Sequence, residues 1–82
     1  MLRHNVRTPE QALAYITDCT LATVVEMAMR KKKSKSEFSR QIAIAQTAID
    51  WMKQMGVDFS TTRAAEIGGT VKDWAEKIEK GR

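Results

Sequence analysis

One cysteine, one proline and one histidine occur in 82 residues, with four glycines and aromatic side chains at only 6%. Each scarcity removes a class of function. Cys19 alone cannot close an internal disulfide, and with only His4 to join it no four-ligand cysteine and histidine metal site can be assembled. There is no glycine-rich phosphate loop and no nucleophile elbow, and no carboxylates cluster outside helix surfaces. The expectation is a chain with no catalytic residue, no cofactor and no metal, hence not an enzyme and without a small-molecule substrate. Long apolar runs are missing too. Asp18 and Glu26 cut the most apolar stretches well short of the roughly 20 residues of a membrane span. Arg3 and Arg7 are followed by Thr8-Pro9-Glu10-Gln11 where a secretory signal would turn apolar. An unpaired cysteine suits a reducing interior, so a soluble, cytoplasmic protein is expected.

What is present is ordinary globular material, 43% apolar and 29% charged, outside the composition of disordered segments. A chain of this length sits near the lower limit for burying a sufficient core alone, which makes a homodimer the expected state. The net charge of +4 is unevenly held: residues 30–40 carry six basic groups and one acid, leaving the rest of the chain close to neutral.

Start signals divide the chain into helices. Thr8-Pro9-Glu10-Gln11 combines a threonine cap, proline at the first helical position and glutamine at the capping-box position. This leaves residues 1–7 as a flexible tail before a single helical domain over 8–80. Ala12, Leu13, Ile16, Leu21, Val24, Val25, Met27 and Ala28 supply an apolar face to about Lys32. Thr17, Thr20 and Thr23 are β-branched, and Thr23-Val24-Val25-Glu26 is itself a capping pattern, so a break near residues 18–20 would make two short helices of this segment. Ser34-Lys35-Ser36-Glu37 starts the second helix, and Gly56 ends it. Phe38, Ile42, Ala45, Ile49 and Met52 form one stripe, with Ile44, Ala48, Trp51 and Met55 beside it, a wide arc that predicts the central helix of the fold. Ser60 or Thr61 can cap a third helix with Ala64, Ile67, Val71, Trp74 and Ile78 in phase. The phase runs through Gly68-Gly69, and the shared face of Ile67 and Trp74 favours one continuous helix although each glycine costs about 0.8–1.0 kcal/mol. The predicted fold is all-α, a small three-helix bundle, or four helices if the first segment breaks.

The basic corner Arg30, Lys31, Lys32, Lys33, Lys35 and Arg40 is the first candidate site. It reads either as a phosphate-binding patch, helped by Ser34, Ser36 and the open N–H groups of the second helix, or as a solvated turn at the end of a helix dipole. Only Phe38 is aromatic there, and its stripe assigns it to the core, so stacking on single-stranded bases is not expected. Ala65-Glu66-Ile67-Gly68-Gly69 weakly resembles the first helix and turn of bacterial helix-turn-helix domains. The Thr70–Glu79 segment that would then read DNA carries Asp73, Glu76 and Glu79 where basic residues belong. Trp51 and Trp74 lie on helical stripes and read as core, Met27, Met29, Met52 and Met55 as flexible core fillers, and Cys19 as a small buried hydrophobe. Asp18, Asp50 and Asp58 read as caps or surface groups. His4 is assigned no role.

Two functions follow from these residues. The first is a small helical interaction or regulatory module, of the kind found among accessory proteins of mobile elements, that acts as a dimer by binding another macromolecule. Ile44, Trp51 and Met55 are the candidate protein interface, because the second helix is more widely apolar than two short neighbours need. The alternative is a nucleic-acid-binding regulator using the corner at 30–40. Docking of that corner on an anionic membrane is not expected, since apolar residues to insert beside it are not apparent.

Overall fold

The computed structural model describes residues 6–81, so residues 1–5 of the expected tail, His4 among them, lie outside the described residues; Val6 and Arg7 are exposed. Among the described residues the elements are α1 (Pro9–Met29), α2 (Lys35–Met55), a 3-10 turn (Arg63–Glu66) and α3 (Val71–Lys80), with no strand. This is the all-α three-helix bundle that the helical phases predict.

α1 begins as its capping box specifies. The Thr8 hydroxyl accepts the Gln11 N–H at 3.2 Å, and the Gln11 carboxamide oxygen accepts the N–H groups of Arg7 and Thr8 at 2.7 and 3.2 Å. The helix does not break near residues 18–20. Thr17, Thr20 and Thr23 each turn the hydroxyl back to the carbonyl four residues earlier, Leu13, Ile16 and Cys19, at 2.7, 2.7 and 3.1 Å, so these side chains satisfy themselves without leaving the helix. It ends at Met29, a few residues before Lys32, where the backbone turns extended at Arg30. Because Asp18 and Glu26 do not interrupt it, α1 has the length and mean hydropathy (1.3) of a membrane span, against the expectation from its apolar runs. It is also the helix around which the bundle is built, a position that demands the same composition, and the fold is compatible with a soluble protein.

α1, and not α2, is the spine. It touches α2, the 3-10 turn and α3, whereas α2 packs chiefly on α1 and α3. Leu21, Val24 and Ala28 on α1 are fully buried against Phe38, Ala45 and Ile49 of α2 and Val71 and Ala75 of α3. The alanines allow close backbone approach, and Ile42, Phe59, Ile67, Trp74 and Ile78 close the core from its edges. Thus the first stripe of α2 is core as expected, and the second, Ala48 apart, is not.

α2 starts on Ser34, whose hydroxyl accepts the Glu37 N–H at 3.3 Å. It stops at Gly56, the one described residue at positive φ (67°), where the Val57 N–H reaches back to the Met52 carbonyl at 2.9 Å. The turn that follows is held by Asp58, which accepts the Ser60 N–H at 3.0 Å; these bonds to Ser60 lower its carboxyl below the usual aspartate range.

The third segment is broken, not continuous. Thr62, rather than Ser60 or Thr61, caps a single 3-10 turn by accepting the Ala64 N–H at 3.2 Å, and Thr70 caps α3 by accepting the Asp73 N–H at 3.2 Å. Two acceptors from other helices decide the matter. Asp18 of α1 takes the Arg63 N–H at 2.9 Å, and Gln46 of α2 takes the Val71 N–H at 2.8 Å. Each donor is the first of its element, a group left without an intrahelical partner. With both satisfied, two helix starts cost less than carrying two glycines through a helix interior. Ile67 and Trp74 still reach the core, the requirement that favoured continuity.

Asp18 therefore is no surface cap. It is buried, with its second oxygen 3.5 Å from the Arg63 guanidinium. Replacing it with alanine (Asp18→Ala) strands the Arg63 N–H and should lower unfolding stability by about 2 kcal/mol, measured by urea titration. Gly56→Ala meets no atom within 4 Å, so its effect is purely the left-handed backbone, a loss of about 1 kcal/mol in the same titration.

Candidate macromolecule-binding surfaces

Residues 30–34 join α1 to α2, and the structure divides the six cations of residues 30–40 into two sets. Arg30, the residue closing α1, pairs with Glu26 one turn back, and Arg40 lies 3.6 Å from Glu37 on α2. Both are exposed local pairs of small energetic weight. Lys33 is different. Its side chain is only 13% exposed, its ammonium lies 2.6 Å from Glu79 on α3 and 5.2 Å from the Phe38 ring centroid, and it donates to the Arg30 carbonyl at 3.1 Å. That cation ties the corner to the far end of α3 and sits over an aromatic face. It is committed to the fold and offers little to a ligand.

Lys31, Lys32 and Lys35 are exposed and enter none of the ion pairs among the described residues. They line a groove of about 990 Å³ between α2 and α3, with Phe38, Ile42 and Ala43 of α2 and Lys72, Glu76 and Glu79 of α3. Lys72 belongs to this set although it lies outside the basic run. Only the packing of α3 on α2 brings it there, and no spacing in the sequence signals that. Ser34 and Ser36, candidate phosphate donors, are 3.0 Å apart, and the Ser34 hydroxyl is occupied as the α2 cap.

The second surface is apolar. Ile16, Ile44 and Trp51 are roughly half exposed (56%, 46% and 59%), and with Leu13, Ala43, Thr47 and Ala48 they line a shallow hollow of about 390 Å³ between α1 and α2. None of these seven residues is ionisable. Met55, one turn beyond Trp51, is exposed as well. The candidate interface Ile44, Trp51 and Met55 is thus brought together on one accessible face, and α1 adds Leu13 and Ile16, which the apolar phase of α1 had directed to the core. Trp51 is not a core residue, in contrast to Trp74, which packs at the core edge.

Other expectations fall differently. Met27 and Met52 are buried, as fillers should be, while Met29 is exposed directly beside the basic corner, the neighbouring apolar residue that the sequence did not reveal. Cys19 is exposed instead of buried, because it points away from the side of α1 that carries Leu21 and Val24. A hydrogen bond with that thiol, one turn away, raises the Tyr15 phenol above its ordinary pKa. The Arg63–Glu66 segment is a single 3-10 turn and supplies no first helix of a helix-turn-helix. Among the described residues no three of His, Cys, Asp and Glu gather at metal-binding distance.

No protein-family model matches this chain, and neither a curated protein nor a solved structure is found similar to it.

The split of the corner makes a direct stability prediction. Lys33→Met should lower unfolding stability by about 1 kcal/mol through the lost Glu79 and Phe38 contacts, whereas Lys31→Glu and Lys32→Glu should leave the urea midpoint unchanged within error.

Proposed function

We propose that this protein is a non-enzymatic helical interaction module that acts in the cytoplasm by binding other macromolecules, and that it works as a homodimer joined through the α1–α2 apolar face. The observation that carries the reading is the joint exposure of Ile16, Ile44 and Trp51 around a hollow without a single ionisable side chain. In a chain that is 29% charged, a charge-free face of two helices is the place where association desolvates least. Tryptophan at its edge is the residue type that most often dominates an interface.

A second copy is the occupant this reading assigns to the face. α1 and α2 form an antiparallel pair, and a two-fold axis over the hollow would set two such pairs against each other as a four-helix layer, every contact made twice. The association would also extend a core that is small for a lone chain of this length.

The test is mass in solution by light scattering across a dilution series. The wild-type chain should give twice the 9.3 kDa monomer, and Ile44→Asp or Trp51→Asp should give the monomer with unchanged far-ultraviolet dichroism, the affinity falling at least about thirtyfold. A wild-type chain that stays monomeric throughout would sink the homodimer.

A further inference from the structure

We propose that the groove between α2 and α3 is a second binding site, and that its occupant is an acidic amphipathic helix of a partner protein. The inference does not depend on dimerisation, since the groove is formed within one copy of the chain and shares only Ala43 with the α1–α2 hollow.

Three observations combine. The groove, about 990 Å³, is at the upper end of what small ligands fill and is bounded by two helices, the setting in which a third helix lays its apolar edge. Its apolar lining on α2 is the half-buried Ile42 and the exposed Ala43, floored by the buried Phe38 one turn before Ile42. Around this strip stand Lys31, Lys32, Lys35 and Lys72, all exposed and none in an ion pair among the described residues. A guest with apolar residues on one edge and carboxylates flanking them would meet apolar surface and ammonium groups together.

The same lining argues against a nucleic-acid strand. Glu76 lies among the lysines, so a run of phosphates would pass a carboxylate, while a peptide can place a neutral residue there. Glu79 carries no such penalty, because Lys33 already neutralises it. Phe38, the one aromatic residue in the lining, is buried beneath the Lys33 ammonium, which leaves no free ring for a base to stack on. Lys33 acts here as a positioning residue, holding α3 to the corner and so fixing the width of the groove.

The probe is a fluorescein-labelled synthetic helix of leucine and glutamate with leucines on one face, followed by anisotropy and by amide shifts in nitrogen-15 spectra of the full chain. Saturable binding is expected in the micromolar range, with shifts centred on Ser39, Ile42 and Lys72. Lys35→Glu combined with Lys72→Glu should weaken it at least about tenfold. Ser39→Glu, an exposed groove position, should weaken it in the same direction without touching the core, and Lys53→Glu, an exposed lysine outside the groove, should bind as wild type. Equal binding by a scrambled peptide of identical composition would overturn the proposal by reducing the groove to bulk charge. So would failure to bind, shifts centred on Ile16, Ile44 and Trp51, or displacement of the peptide by labelled duplex DNA at lower concentration.

Discussion

A carboxylate buried in the middle of the most apolar helix holds the architecture together. Asp18 reaches across 45 residues to the Arg63 N–H and guanidinium, and by doing so decides that the chain turns at residues 62–66. Taking a carboxylate out of water is costly, and its bonds to Arg63 offset part of that cost, which favours the 3-10 turn in this place. The position of that turn sets where residues 67–70 cross the bundle, and hence where α3 meets α2. Gln46 completes the arrangement from the other side by receiving the Val71 N–H, while its own amide group donates to Asp50. The groove between α2 and α3 is in this sense a product of two side-chain acceptors, one of which, Gln46, also lines it.

The local features of the fold were legible in the sequence, and the relations between elements were legible only in part. Thr8, Ser34 and Gly56 act within a few residues of themselves, so spacing alone revealed them. The stripe from Phe38 to Met52 was readable for the same reason, since burial repeats with the helical period. The second stripe was readable only ambiguously, with Trp51 assigned both to the core and, with Ile44 and Met55, to a candidate interface. Periodicity shows that Ile44 and Trp51 are apolar and aligned, and only the placement of α1 shows that they remain open. The continuous third helix failed on similar grounds: glycine propensity and side-chain phase were visible, whereas the acceptors Asp18 and Gln46 that tip the balance are distant in the chain.

The basic run shows the same limit in electrostatic form. As sequence, six cations at residues 30–40 look equivalent. In the fold they separate by partner: Arg30 and Arg40 in exposed pairs on their own helices, Lys33 under cover against Glu79 and Phe38, and Lys31, Lys32 and Lys35 open. Lys72 joins the last group from α3. The charge that matters for recognition is therefore a property of the packed surface, and the linear cluster both overstates it, by including Lys33, and understates it, by omitting Lys72.

The glycines at 68 and 69 have an unexpected relation to the break they accompany. Neither is at positive φ, a methyl group at Gly68 would meet nothing within 4 Å, and at Gly69 it would meet only the Asp73 carboxylate at 3.7 Å, an ordinary contact. The local geometry thus accepts larger residues at both positions. What glycine supplies instead is freedom in the unfolded chain, which the Thr70 cap and the Gln46 bond to the Val71 N–H must offset on folding. The joint before α3 is therefore fixed by hydrogen bonds to Thr70 and Gln46 and not by any backbone geometry that only glycine can adopt.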